Sequence, residues 1–224
     1  MSNDLFSNAK PPQRTELIFI LDRSGSMAGL ESDSIGGFNS MLAKQQELPG
    51  VCYITTVLFN HEYKLLHDHI DIGAVQPLTV ADYQVGGTTA LLDAVGTAIE
   101  SMVHRQRISA SEERADAVLF VIITDGYENA SREFSVERVR SMIRFESEQF
   151  GWEFIFLGAN LDAIQAAADI GIRPERAQNF HADSDGVATN FDSVSSAVFS
   201  MRSSAKLRDD WGLAIEQDFK KRKR

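Results

Sequence analysis

Two places in the chain put oxygen-bearing side chains where a strand should end. In Phe19-Ile20-Leu21-Asp22-Arg23-Ser24-Gly25-Ser26-Met27 an apolar run stops at an acid, and two hydroxyls follow at alternate positions. In extended backbone, residues at i, i+2 and i+4 point the same way, so Asp22, Ser24 and Ser26 converge on one small volume. Gly25 lets the backbone turn tightly between them. A second apolar run, Ala117 to Thr124, stops at Asp125-Gly126. Oxygen ligands carrying few negative charges suit a divalent ion such as Mg²⁺, which is satisfied by one or two carboxylates plus neutral oxygens and water. Two carboxylates among hydroxyls leave such an ion electrophilic and open to one more anionic oxygen. The competing structural role for Asp22 and Ser24 is capping of the next helix. Capping accounts for either residue alone. It does not account for two acids, about a hundred residues apart, that both end buried strands.

Other chemistry is less well supported. His67-Asp68-His69 puts two imidazoles on one face of an expected strand, as a Zn²⁺ pair requires, but no third or fourth ligand lies nearby, and an exposed edge strand is the simpler reading. Ser24 as a nucleophile would want a base and a G-x-S-x-G elbow, whereas the residues here are Asp-Arg-Ser-Gly-Ser. Neither a dinucleotide fingerprint nor a phosphate loop is present. Glu128 and Asn129 fall either on the rim of the site or in a solvated turn. Arg23 points away from the metal, to steer an acidic ligand or to pair with surface carboxylates. The alternative function is a Mg²⁺-dependent phosphohydrolase on a similar α/β sheet, which also ends its first strand in an acid. That chemistry wants a second Asp two residues on as acid and base, and Ser24 occupies the place.

The elements that position these residues follow from periodicity. Strand one covers about 15–21, and Ile35, Phe38, Leu42 and Leu48 recur at helical spacing over about 33–48 before Pro49-Gly50 stops the helix. Residues 51–59 are β-branched and aromatic. After the turn-like Asn60-His61-Glu62, residues 63–70 form an antiparallel partner at a sheet edge. A long loop, 71–87, closes on Gly86-Gly87. Leu91, Leu92, Val95, Ala98, Ile99, Met102 and Val103 give an amphipathic helix, and 117–124 a central parallel strand. A helix marked by Val136, Val139, Ile143 and Phe150 follows, then a strand at 152–157, an Ala-rich helix at 161–170, and an edge strand at 177–181. Val187, Phe191, Val194, Val198 and Met201 mark a final long helix. Strands alternating with helices imply a doubly wound α/β domain with a mostly parallel sheet, one antiparallel edge strand and helices on both faces. Ligands of such folds bind at the carboxyl ends of the strands, near a topological switch point.

A length of 224 residues suits one sizeable domain. The expected division is a lead-in at 1–14 containing Pro11-Pro12, a domain at 15–205, and an extension at 206–224. In that extension Trp211 and Phe219 pack, and the run from Lys220 to Arg224 is a solvated tail. The formal net charge of −10 argues against nucleic acid and anionic membrane as partners, since both need a positive field. The single cysteine, Cys52, excludes a disulfide framework. The polar first residues lack the apolar core of a signal peptide, and the apolar runs are far shorter than a membrane span. A cytoplasmic location is the expectation. Nothing in the sequence speaks to the oligomeric state.

Taken together, Asp22-x-Ser24-x-Ser26 after strand one, Gly86-Gly87-Thr88-Thr89 opening a helix, and Thr124-Asp125-Gly126 after a central strand resemble a von Willebrand factor type A (VWA) domain, of the stand-alone prokaryotic or phage type. The resemblance covers about residues 15–205. It implies a Rossmann-like fold with a complete metal-ion-dependent adhesion site (MIDAS), in which Ser24, Ser26 and a loop Thr contact Mg²⁺ while Asp22 and Asp125 act directly or through water. Mn²⁺ or Ca²⁺ could replace Mg²⁺. Counting back from Asp93-Ala94-Val95 favours Thr89 as the loop ligand, with Thr88 the alternative. The implied function is not enzymatic: the metal is completed by an Asp or Glu of a protein partner.

Overall fold

The computed structural model describes residues 14–222, so all of the expected 1–14 lead-in except Arg14, which begins the first strand, and the last two basic residues lie outside the described residues. In chain order the elements are β1 (Arg14–Asp22), α1 (Glu31–Gln46), β2 (Val51–Phe59), β3 (Tyr63–Asp71), α2 (Leu91–Ile108), β4 (Ala117–Thr124), α3 (Val136–Phe150), β5 (Glu153–Ala159), α4 (Ala163–Asp169), β6 (Ala177–Phe180), α5 (Ser184–Ser204) and α6 (Leu213–Arg222). They build one six-stranded sheet in the order β3-β2-β1-β4-β5-β6. Only the β2–β3 pairing is antiparallel; the others are parallel. This is the doubly wound α/β architecture with one antiparallel edge strand that the periodicity predicts.

The sheet has no solvent-facing side at its centre, which is why β4 is buried along its whole length and reads as an unbroken apolar run. Alternate residues of β1 serve opposite layers. Leu17, Phe19 and Leu21 pack with Phe38 of α1 and Val194 of α5, while Ile18 and Ile20 pack with Val95 of α2 and Val139 of α3. The chain runs from β1 outward to β2 and β3 on one side, then returns to place β4 against the other side of β1. The switch point therefore lies between β1 and β4. Their register pairs Leu21 with Ile123, so the two strands end side by side.

The two histidines of β3 do not share a face. A register irregularity between Ile54 and Val57 breaks the alternation, and His69 takes a left-handed φ of 50°. The His67 ring lies against the Thr56 hydroxyl, Nδ1 to Oγ1 at 3.0 Å. On the other face, His69 stacks on Tyr53 with centroids 4.2 Å apart and places Nδ1 2.9 Å from Oε1 of the buried Glu16. The sequence reading of two imidazoles on one face is thus corrected: a bulge adds a residue that strict period-two counting omits.

Residues 206–222 pack onto the domain. Trp211 donates Nε1–H to the Glu175 carbonyl at 3.0 Å, Ile215 is buried, and Phe219 stacks on His181. The basic run begins as the last turn of α6, where Lys220 pairs with Glu216 and Arg222 with Asp218, each one helical turn back. Arg222 also reaches Asp183 at 2.6 Å. Among the described residues no helix is long and apolar enough to cross a membrane.

Candidate metal centre

Asp22 is the last residue of β1 and is 1% exposed. Both its carboxylate oxygens are engaged. Oδ1 accepts from the Ser24 backbone N–H at 2.6 Å, and Oδ2 accepts from the Thr124 hydroxyl at 2.6 Å. The first bond closes the Asp-x-Ser turn, and the second ties the end of β1 to the end of β4. The main-chain carbonyl of Asp22 accepts from the buried Tyr83 hydroxyl. Beyond the turn, the Ser24 and Ser26 hydroxyls are 3.0 Å apart, and Ser26 donates to Asp125 Oδ1 at 2.5 Å. Asp22, Ser24, Ser26 and Asp125 therefore form one connected polar cluster.

The Gly-Gly-Thr-Thr loop supplies the next residue. Gly25 N–H donates to the Gly87 carbonyl at 3.0 Å and Gly86 N–H to the Arg23 carbonyl at 2.9 Å, so this loop is laced to the Asp-x-Ser-x-Ser turn. Asn60, in the β2–β3 turn, fastens it from the other side: its Nδ2 donates to the Gly86 carbonyl at 2.6 Å. Gly87 has φ +78°, and a Cβ there would stand 2.2 Å from His61 Nδ1. Gly87→Ala is expected to cost about 1–3 kcal/mol, the usual strain of a left-handed non-glycine residue, measurable by urea denaturation. A loss within error would mean that the loop relaxes freely.

Thr89 is buried and Thr88 is exposed. A Cβ on Gly126 would lie 3.1 Å from Ser26 Oγ and 3.3 Å from Thr89 Oγ1, so both hydroxyls border the same small space. The placement favours Thr89 over Thr88. It also explains why a residue without a side chain follows Asp125.

Glu128 and Asn129 lie beside the site and brace its loops, Glu128 half-buried and Asn129 exposed. Asn129 exchanges two bonds with Thr89, accepting from its N–H at 2.9 Å and donating its own N–H to the Thr89 carbonyl at 3.0 Å. Glu128 accepts from the Leu92 N–H at the start of α2 (2.9 Å) and from the Ala130 and Ser131 N–H groups. In return, Asp93 accepts from the backbone N–H groups of Arg132, Glu133 and Phe134. These carboxylates satisfy donors at a helix start and in a turn, where they complement the local dipoles. Arg23, inside the turn, donates to the Gln84 carbonyl and Glu62, both at 3.3 Å.

The electrostatics favour a cation. Burial pushes the Asp22 carboxyl above its ordinary value, against hydrogen bonds from Thr124 and Ser24 that favour the charged form. Burial also raises Asp125, opposed by the Ser26 hydroxyl and reinforced by the negative charge of Asp22. Asp125 Oδ2 is buried with no hydrogen-bond partner among the described residues, a costly state for a carboxylate oxygen. Among the described residues no group of three or more His, Cys, Asp or Glu side chains could hold a metal. The donor set here is instead two carboxylates and three hydroxyls, oxygen only, which fits Mg²⁺ better than a soft ion. Tyr83 was not singled out in the sequence, and the bracing roles of Thr124 and Asn129 were not read from it. The one signal for Thr124 was a hydroxyl at the end of an otherwise apolar strand.

No protein-family model matches the chain, and no curated protein matches it. Solved structures are similar to it in fold. Proximal thread matrix protein 1 from the mussel byssus, with a zinc-occupied MIDAS motif, superposes with a TM-score of 0.56 and 18% identity over 82% of this chain and 45% of that one. The ArnB paralogue VWA2 from Sulfolobus acidocaldarius gives 0.52 and 16%, covering 88% of this chain and 46% of that one. The vWF domain of the type V pili tip protein Mfa5 from Porphyromonas gingivalis gives 0.59 and 11%, covering 89% of this chain and 100% of that one. This chain spans less than half the length of the first two. It has the VWA fold.

Proposed function

We propose that this VWA fold carries a divalent-metal-dependent protein-binding module, with Asp22, Ser24, Ser26, Thr89 and Asp125 holding a Mg²⁺ ion. The observation that carries the reading is the unpaired, buried Oδ2 of Asp125 beside three converging hydroxyls. When bound, the cation supplies an electrophilic charge that attracts a carboxylate oxygen of an Asp or Glu on a protein partner. The chain's own part is to hold the five side chains in place, three of them neutral hydroxyls that leave the ion electrophilic. Thr124 and the Ser24 N–H hold Asp22, Asn129 holds Thr89, and Ser26 holds Asp125. Mn²⁺ or Ca²⁺ would suit the same oxygens less selectively. The zinc-occupied motif of the mussel matrix protein supports metal binding at this place in the fold. The place two residues after Asp22 holds Ser24 rather than a second acid, which speaks for binding over phosphohydrolysis.

The test is retention of partners by the immobilised protein, in Mg²⁺ and in EDTA, alongside Asp125→Ala. Proteins held only by the wild type in Mg²⁺ are expected. The same proteins held under all three conditions would end the metal-bridged reading, as would phosphatase turnover that disappears in Asp22→Asn.

A further inference from the structure

The buried side of α5 carries polar residues among its apolar ones, and Asn190 is the most deeply buried of them. Val187, Phe191, Val194, Val198 and Met201 are buried, but so is Asn190, which is 1% exposed with neither Oδ1 nor Nδ2 hydrogen-bonded among the described residues. An amide left unpaired in a core costs about 1–3 kcal/mol. Asn190 lines a small cavity of about 10 Å³ that is bordered also by Asp22, Ser34 and Tyr83. That is about the volume one water molecule's centre needs, and although most of the lining is apolar, the Asn190 amide and the Ser34 and Tyr83 hydroxyls border it as polar partners. The polar groups continue outward from the cavity. Ser34 of α1 borders the cavity together with Tyr83, and the Tyr83 hydroxyl donates to the main-chain carbonyl of Asp22.

We propose that this cavity holds one ordered water bound by the Asn190 amide, and that through it Asn190 acts as a positioning residue for the Asp22 turn. The water bridges α5 to the Ser34 and Tyr83 hydroxyls, and Tyr83 passes the restraint to the backbone of Asp22. An apolar residue at 190 would satisfy the stripe but would leave the turn without this support from below. The second half of the proposal rests on the metal-centre reading; the first half does not.

A high-resolution crystal structure of the full chain tests the water, and calorimetric titration with Mg²⁺ alone tests the positioning. Density for a water within hydrogen-bonding distance of the Asn190 amide is expected. Asn190→Leu is expected to keep the wild-type circular dichroism spectrum while Mg²⁺ affinity falls about tenfold, the usual effect of losing a group that orients a metal ligand. Tyr83→Phe cuts the same bridge and supplies the affinity test if the leucine variant does not fold. The double variant should bind no more weakly than the weaker single one, because neighbours sharing one network are not additive. A well-ordered cavity with no density overturns the water site. An unchanged Mg²⁺ affinity in both single variants overturns the positioning role. A wild-type protein that binds no Mg²⁺ would instead sink the metal-centre reading, with the density still deciding the water.

Discussion

In a thermal-unfolding titration at pH 7, Mg²⁺ at about a hundred times its dissociation constant raises the wild-type midpoint by roughly 5–10 °C and leaves Asp125→Asn unmoved. The gain follows from binding to the folded state alone, about 2.7 kcal/mol at that excess. The loss in the variant follows from Asp125 Oδ2, the buried oxygen left for a cation. Without metal, Asp125→Asn should be no less stable than wild type at pH 7, because burial already disfavours the charge it removes. The pH dependence has a definite sign. Asp22 and Asp125 both have raised folded-state values, so between the ordinary carboxylate range and those raised values the folded state binds more protons than the unfolded one. Metal-free stability from these two groups is present at low pH and is lost as pH rises through their folded values. A cation competes with those protons, so the Mg²⁺ gain should grow as pH rises through the raised folded values. A gain that survives in Asp125→Asn, or one that shrinks over that range, would contradict the site.

Arg202→Ala should destabilise the protein by about 3 kcal/mol while leaving the Mg²⁺ gain intact, as expected for removing a buried charged donor from several acceptors. Arg202 lies near the end of α5 and is 9% exposed. Its guanidinium donates to the carbonyls of Gln45 at 2.5 Å, Leu48 at 3.0 Å and Pro49 at 3.3 Å. These are acceptors at the end of α1 and just beyond it, where a helix leaves carbonyls unpaired and its dipole favours a cation. The clamp sits at the end of α1 remote from the metal centre, hence the separation of the two effects. Arg202→Lys should recover only part of the loss, because an ammonium cannot fork across the same carbonyls. A denaturant midpoint unchanged in Arg202→Ala would mean that water replaces the guanidinium at no cost.

The parallel core was readable because strands buried on both faces, such as 117–124, leave an unbroken apolar run, and because Asp22 and Asp125 break such runs abruptly. That Thr89 borders the site could be counted back from a strongly periodic helix. What could not be read were contacts between loops. The reciprocal bonds of Asn129 and Thr89, or the three backbone groups gathered by Asp93, join residues about forty positions apart with no periodic pattern to mark them. The bulge at His69 was hidden for a related reason, since one inserted residue reverses every later face while leaving composition unchanged. Asn190 was visible as a polar residue in an apolar stripe, but its significance depends on the cavity it meets.

The packing of α6 against β6 has a consequence for how molecules of this protein can meet. An edge strand exposes a row of unpaired backbone groups that can recruit a strand from another molecule. Gly212 lies against the Gln178 side chain, and Phe219 stacks on His181, so the last helix shields the outermost parallel strand. At the opposite margin β3 carries the bulge at His69, which interrupts the flat ladder that a visiting strand would need. With one margin sheltered and the other kinked, growth by sheet extension is disfavoured at both ends.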